Sequence, residues 1–210
     1  MKTWLMISGV LSVSALSSNA FASDNALNNI QQEWAHCQYE VKDSDKQQTC
    51  FEIAIMHTSQ ALNLKPNNLD LTVWMAINKA SLAGAKGGLG ALSLAKESKR
   101  LLEQVIDTAP KTLDGSAYTS LGSLYYKVPG WPIGFGDDDK AEAMLKKALE
   151  INPDGIDPNY FYGDFLAEDG RKQEAIKYLT KAQRAAPRPD RPLADQGRQQ
   201  EITARLESLK

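Results

Sequence analysis

Two cysteines, two histidines and near-balanced charge leave this chain of 210 residues with little of what metal centres, catalytic dyads and nucleic-acid surfaces are built from. Cys37, Cys50, His36 and His57 fit no recurrent zinc spacing, so no metal site is expected. Against 24 basic residues stand 26 acidic ones, a net charge of −2, without the concentrated basic face that nucleic acid requires. Beyond the N-terminus no apolar run approaches the length of a membrane span. No serine lies in a nucleophile elbow. The glycine-rich stretch Gly84–Gly90, GAKGGLG, lacks the Lys-Ser/Thr ending of a phosphate loop and follows a helical segment rather than a strand. It reads as a flexible inter-helix loop. β-branched runs are scarce, while Leu, Ala, Glu and Lys recur, which points to an all-α protein with no cofactor and no enzymatic activity.

What is present begins with an export signal. Lys2 precedes an apolar run from Trp4 to Leu16, then Ser17-Ser18-Asn19-Ala20-Phe21-Ala22, a small-x-small ending that predicts cleavage after Ala22. No cysteine stands at the cleavage point, so a stable membrane anchor is not expected. The mature chain, residues 23–210, is expected to be one domain in a bacterial periplasm. In that oxidising compartment Cys37 and Cys50 are expected to form a disulfide, worth about 3 kcal/mol for a loop of this size. Helical patterns over Leu27–Val41 and Gln47–Leu64 flank a KDSD turn and place the two at similar heights on a hairpin. Two buried thiols are the alternative.

Prolines punctuate the rest. Pro66 in LNLKP, Pro110 in IDTAP, Pro153 in EINP and Pro187 in RAAP each end a helical pattern, at spacings of 44, 43 and 34 residues. Counting back from them gives Ala54/Ala61, Ser98/Leu102/Val105, Ala141/Leu145/Ala148 and Ala175/Leu179/Ala182. In the last unit Tyr162-Gly163, Leu166 and Gly170 precede the set, at offsets that resemble the tetratricopeptide pattern. The resemblance implies a right-handed α-solenoid of about four such helix pairs. Leu193 to Leu209 would form a capping helix, with one face on the last pair and the other in water.

The third unit matches at Leu121-Gly122 and Tyr125, but Ala141 arrives seven residues late. The excess lies in Val128–Gly136, VPGWPIGFG, an ordered-looking loop. Asp137-Asp138-Asp139 follows it, where helix capping is favoured over a cation site. Ser123, Tyr126, Lys127, Tyr160 and Asp164 map to the first-helix face that lines the groove of such solenoids, with Trp131 and Phe135 on the loop beside them. This aromatic surface is the candidate partner- or ligand-binding site. Ordinary packing is the other reading, with Trp131 pinning its own loop.

The PGWP-x-x-FG-D loop, the NPDGIDPNYFYG junction and the RPLAD-x-GR ending also give residues 121–198 a likeness to the T-component family associated with TRAP transporters. That likeness implies a periplasmic helical-repeat scaffold binding a protein partner, proposed to include the transporter's substrate-binding subunit. It also implies self-association as a homo-oligomer and a pore or groove for a small apolar ligand.

Overall fold

The computed structural model describes residues 18–210, with side chains from residue 25 onward except that of Leu89. The expected signal segment, residues 1–22, lies outside the described residues apart from its last five positions, which fall in the first helix. Four antiparallel pairs follow one another: α1 (Ser18–Tyr39) with α2 (Ser44–Leu64), α3 (Leu69–Lys86) with α4 (Gly88–Thr108), α5 (Ser116–Lys127) with α6 (Asp138–Ile151), and α7 (Ile156–Glu168) with α8 (Lys172–Gln183). A short 3-10 turn, Thr112–Gly115, joins the second pair to the third, and α9 (Pro192–Ser208) closes the chain. Among the described residues there is no β-strand, only an isolated bridge between Gly130 and Gly136. The solenoid of four helix pairs and a terminal helix is therefore the architecture.

The prolines act as their position requires. Lys65, Ala109 and Asn152 precede Pro66, Pro110 and Pro153, and all three leave the helical region in the same way, with φ between −151° and −132° and ψ between 73° and 83°. The pyrrolidine ring excludes helical angles from the residue before it, so the first three pairs end where their prolines dictate, whereas α8 stops at Gln183, ahead of Pro187. Three helices start under side-chain caps: Asp43 accepts from Lys46 N, Asn68 from Leu71 N and Asp137 from Lys140 N. Asp137 is thus a helix cap, as its place before α6 predicts.

Within the pairs, large residues seat against small ones. Ala141, Leu145 and Ala148 are fully buried, as are Ala175, Leu179 and Ala182 and their counterparts Ser98, Leu102 and Val105. A β-carbon on Gly122 would lie 2.6 Å from Leu145 Cγ, and one on Gly163 2.8 Å from Leu179 Cγ. The glycine of the first helix is therefore the hole into which the leucine of the second fits.

One expectation is corrected and one is extended. The Gly84–Gly90 stretch is not a flexible loop: α3 runs to Lys86 and α4 starts at Gly88, so only Gly87 separates them. Gly87 and Gly88, with φ of 61° and 63° in the region glycine tolerates, reverse the chain. The extra length of the second unit is spent on longer helices. α9 caps the last pair and keeps a face in water at Gln196, Gln200, Thr203 and Glu207, but it also reaches the first pairs. Ile202 and Leu206 pack with Ile156 and Ala182, while Leu193 and Ala194 join Ile30, Trp34 and Trp74 of the first two pairs. At the contact with α1, a β-carbon on Gly197 would lie 2.3 Å from the Tyr39 ring. The last helix therefore bridges the last pair to the first.

Cys37 and Cys50 are joined in a disulfide across the α1–α2 hairpin, with Cα atoms 5.6 Å apart. With both sulfurs so engaged, the set of His36, Cys37, Cys50 and His57 does not assemble. His36 pairs instead with Glu40 and His57 with Glu33.

Two stability predictions arise. Cys37→Ser should cost about 3 kcal/mol in denaturant unfolding under oxidising conditions and little in reductant; equal stability of wild type and variant in oxidant would refute the bridge. Gly197→Ala should displace Tyr39 and cost about 1–3 kcal/mol, as overpacked positions do. It should also enlarge the radius of gyration in solution scattering if the α1–α9 contact holds the ends together.

Candidate binding cavity on the inner face

The first helices of all four pairs turn one side inward, and α9 completes the ring around a cavity of about 700 Å³. Trp34 comes from α1, Trp74 and Ile77 from α3, Ser123 and Lys127 from α5, and Tyr160, Phe161, Asp164 and Glu168 from α7. The linker and α9 contribute Arg191, Arg198, Glu201 and Arg205.

The wall is cross-linked by charge. Asp164, only 7 % exposed, accepts from Tyr126 Oη at 3.0 Å and pairs with Lys127 at 2.9 Å and Arg205 at 2.8 Å. Burial, then the charge of Asp164, holds the Tyr126 phenol well above its ordinary pKa. Tyr126 therefore stays a neutral donor to Asp164. A second knot lies at the base of α9. The Arg198 guanidinium sits 4.4 Å from the Tyr160 ring centre and 4.6 Å from that of Phe161. It also reaches Asp157 at 3.0 Å and pairs with Glu201. Arg188 donates to both Asp157 and Asp195, which pins the proline-rich linker to α7 and α9.

Burial on its own would raise the Asp157 pKa, but Arg198, Arg188 and Arg191 outweigh it and hold the carboxyl well below the usual range. Burial pushes the Tyr160 phenol up to about 12 and raises the Glu201 carboxyl.

Of the residues predicted for the site, Ser123, Lys127, Tyr160 and Asp164 line the cavity together, with Tyr126 hydrogen-bonded behind Asp164. Trp131 and Phe135 do not line it. Tyr125 and Tyr126 are consecutive on α5 and so point about 100° apart. The Val128–Gly136 loop follows Tyr125: Phe135 meets that ring edge-on at 5.9 Å, Gly134 approaches Leu92 of α4, and Asp137 N donates to Tyr125 O. The loop thus packs on α4 and α5 rather than on residues 159–164. Trp131 is 90 % exposed and pins nothing.

Sequence reasoning missed the arginines of α9 and the two tryptophans. One signal was there: Arg191, Arg198 and Arg205 are spaced by seven, which places them along one side of a helix.

The carboxylate of Asp157 yields a prediction. Because its pKa is depressed in the folded state, its stabilisation is present above the unfolded value of about 3.9 and is lost as pH falls through the folded value. Asp157→Asn leaves Arg188 and Arg198 short of a counter-charge. It should cost about 3 kcal/mol at pH 7, at the low end for a severed buried pair because the Asp157 side chain keeps 26 % exposure. The gap to wild type should narrow in acid unfolding below about pH 4. A gap unchanged by pH would assign the loss to packing.

The comparisons with known proteins agree with the architecture. Residues 133–199 match the family model for the tetratricopeptide repeat. No curated protein matches the sequence. The crystal structure of TTC0263, a thermophilic TPR protein in Thermus thermophilus, superposes with a TM-score of 0.62 at 19 % identity, covering 89 % of this chain and 80 % of that one. A crystal structure of MamA gives a TM-score of 0.45 at 18 % identity, covering 80 % of this chain and 93 % of that one. The chain is thus a helical-repeat protein with a tetratricopeptide-like fold, and the repeat sequence itself is recognised over α6, α7, α8 and the start of α9.

Proposed function

We propose that this chain is a non-catalytic interaction scaffold, exported to the periplasm, that holds part of a partner protein in its inner cavity. The observation that carries this reading is the cavity wall itself, to which the first helix of every pair contributes side chains. Grooves on helical scaffolds take extended or helical segments through such convergent faces. The charged knots at Asp164 and Asp157 keep the wall in one conformation, so little ordering is required on binding. The N-terminal signal pattern supports export. The likeness of residues 121–198 to T-component proteins favours a TRAP-type substrate-binding subunit as the partner.

A second reading, a carrier of a small apolar ligand, is favoured by one observation. The return of α9 onto α1 bounds the cavity at about 700 Å³, within the range of roughly 300–1,000 Å³ typical of small-molecule pockets.

Ser123→Trp places an indole in the cavity and tests both readings, since Ser123 lines it and makes no ion pair. Mild crosslinking in the periplasm should recover a specific partner with wild type and lose it with this variant, thermal stability being unchanged. Trp131→Ala, at an exposed position, should change stability by less than about 0.5 kcal/mol. Loss of the partner with Trp131→Ala and not with Ser123→Trp would move the interaction from the cavity to the loop. Native mass spectrometry that finds a hydrophobic ligand and no protein would favour the carrier.

A further inference from the structure

Four cations line the cavity: Lys127, Arg191, Arg198 and Arg205. Three are matched by carboxylates, Lys127 and Arg205 by Asp164 and Glu168, and Arg198 by Asp157 and Glu201. Among the described residues Arg191 is the cavity cation without an ion pair. Its Nε is buried and donates to nothing. Its guanidinium lies over the Trp74 ring, 5.0 Å from the centre, and the Trp74 Nε1 is likewise buried without an acceptor. Two adjacent buried donors lacking acceptors are uncommon, because each has given up hydration without replacement.

The surroundings add to this. Burial, followed by the positive charge of Arg188, lowers the Arg191 pKa although Asp157 and Asp195 oppose the shift from beyond ion-pair distance. Beside it the wall is apolar: Trp34 meets Trp74 edge-on at 5.6 Å, and Ile77 continues the surface. A guanidinium lying over an aromatic face keeps its in-plane N–H groups for a planar anion.

We propose that the cavity takes a carboxylate borne on an apolar chain or ring, with the carboxylate on Arg191 and the apolar part against Trp34 and Trp74. This rests on the reading that the cavity is the binding site, and it names the chemistry of what binds there. Two sources carry that group, a fatty-acid-like molecule and the free C-terminus of an apolar peptide. The carboxylate pairs with the Arg191 guanidinium through its terminal N–H groups, since the Arg191 Nε and Trp74 Nε1 are too buried for a ligand to reach, and its charge gives this cavity cation an ion pair.

The test is calorimetric titration of the mature chain with decanoate against decanamide, and with an apolar hexapeptide bearing a free against an amidated C-terminus. For at least one of these pairs, wild type should prefer the acid by about tenfold or more, the equivalent of one charge-assisted hydrogen bond. Arg191→Gln should abolish that preference while binding the neutral member as wild type does. Arg191→Lys, which keeps the charge, should retain part of it. Unchanged thermal unfolding of both variants separates loss of recognition from loss of fold. Which pair shows the preference identifies the source. Equal binding of acid and amide by wild type, or a preference that survives Arg191→Gln, overturns the assignment of Arg191. The cavity reading would still stand if Ser123→Trp blocks the neutral probe. Failure of all four probes to bind overturns the carboxylate assignment, and the crosslinking experiment then decides the cavity reading by itself.

Discussion

The contact between α9 and α1 is the constraint on which the rest of the molecule depends. A helical solenoid has two ends, and each leaves an apolar face that must be covered. Here one helix covers both. Ile202 and Leu206 take up the face of the last pair, and Leu193 and Ala194 that of the first. Gly197 allows the close approach to Tyr39. The arginines of the same helix tie it to α7, Arg198 through Asp157 and two aromatic rings, and Arg205 through Asp164. Replacing the partners of such buried charges leaves them uncompensated, so the knots act as much to define one arrangement as to add stability.

The return of α9 converts a curved inner face into a half-open cavity. Much of its polar lining is already engaged. Asp164 meets Tyr126, Lys127 and Arg205, and cannot also serve a ligand without giving up a bond. That division of labour leaves Ser123 and Arg191 as the polar groups that face an occupant with capacity to spare, while Trp34 gives its indole N–H to Ser81 and offers only its ring. The Val128–Gly136 loop belongs to a different surface. It is moored through Phe135 and Asp137 while Trp131 and Ile133 stand exposed, so its role is separable from that of the cavity.

Repeat length varies for two physical reasons. The second pair lengthens its helices until two glycines of positive φ, Gly87 and Gly88, turn the chain, whereas the third inserts an ordered loop between helices of 12 and 14 residues. Both solutions bury the corresponding set in the second helix, Ser98, Leu102 and Val105 in the second pair and Ala141, Leu145 and Ala148 in the third. Composition alone does not distinguish them: glycine clusters mark a break in either case.

Local order in the sequence determined the repeats. The prolines ended the helices, the alanine and leucine offsets set the register of each pair, Asp137 announced its helix, and two cysteines flanking a short turn met across it. All of these act within some twenty residues, where helical periodicity and backbone sterics dominate. Only the tertiary structure decided that α9 would return to α1, that Trp34 and Trp74 would share a wall with Tyr160, and that Phe135 would turn away from it. Tyr39 and Glu201, 162 positions apart, meet through their side chains. Such a contact depends on the small rotations accumulated over four stacked pairs. No single segment encodes that sum, and the cavity, with its one unpaired arginine, is a product of it.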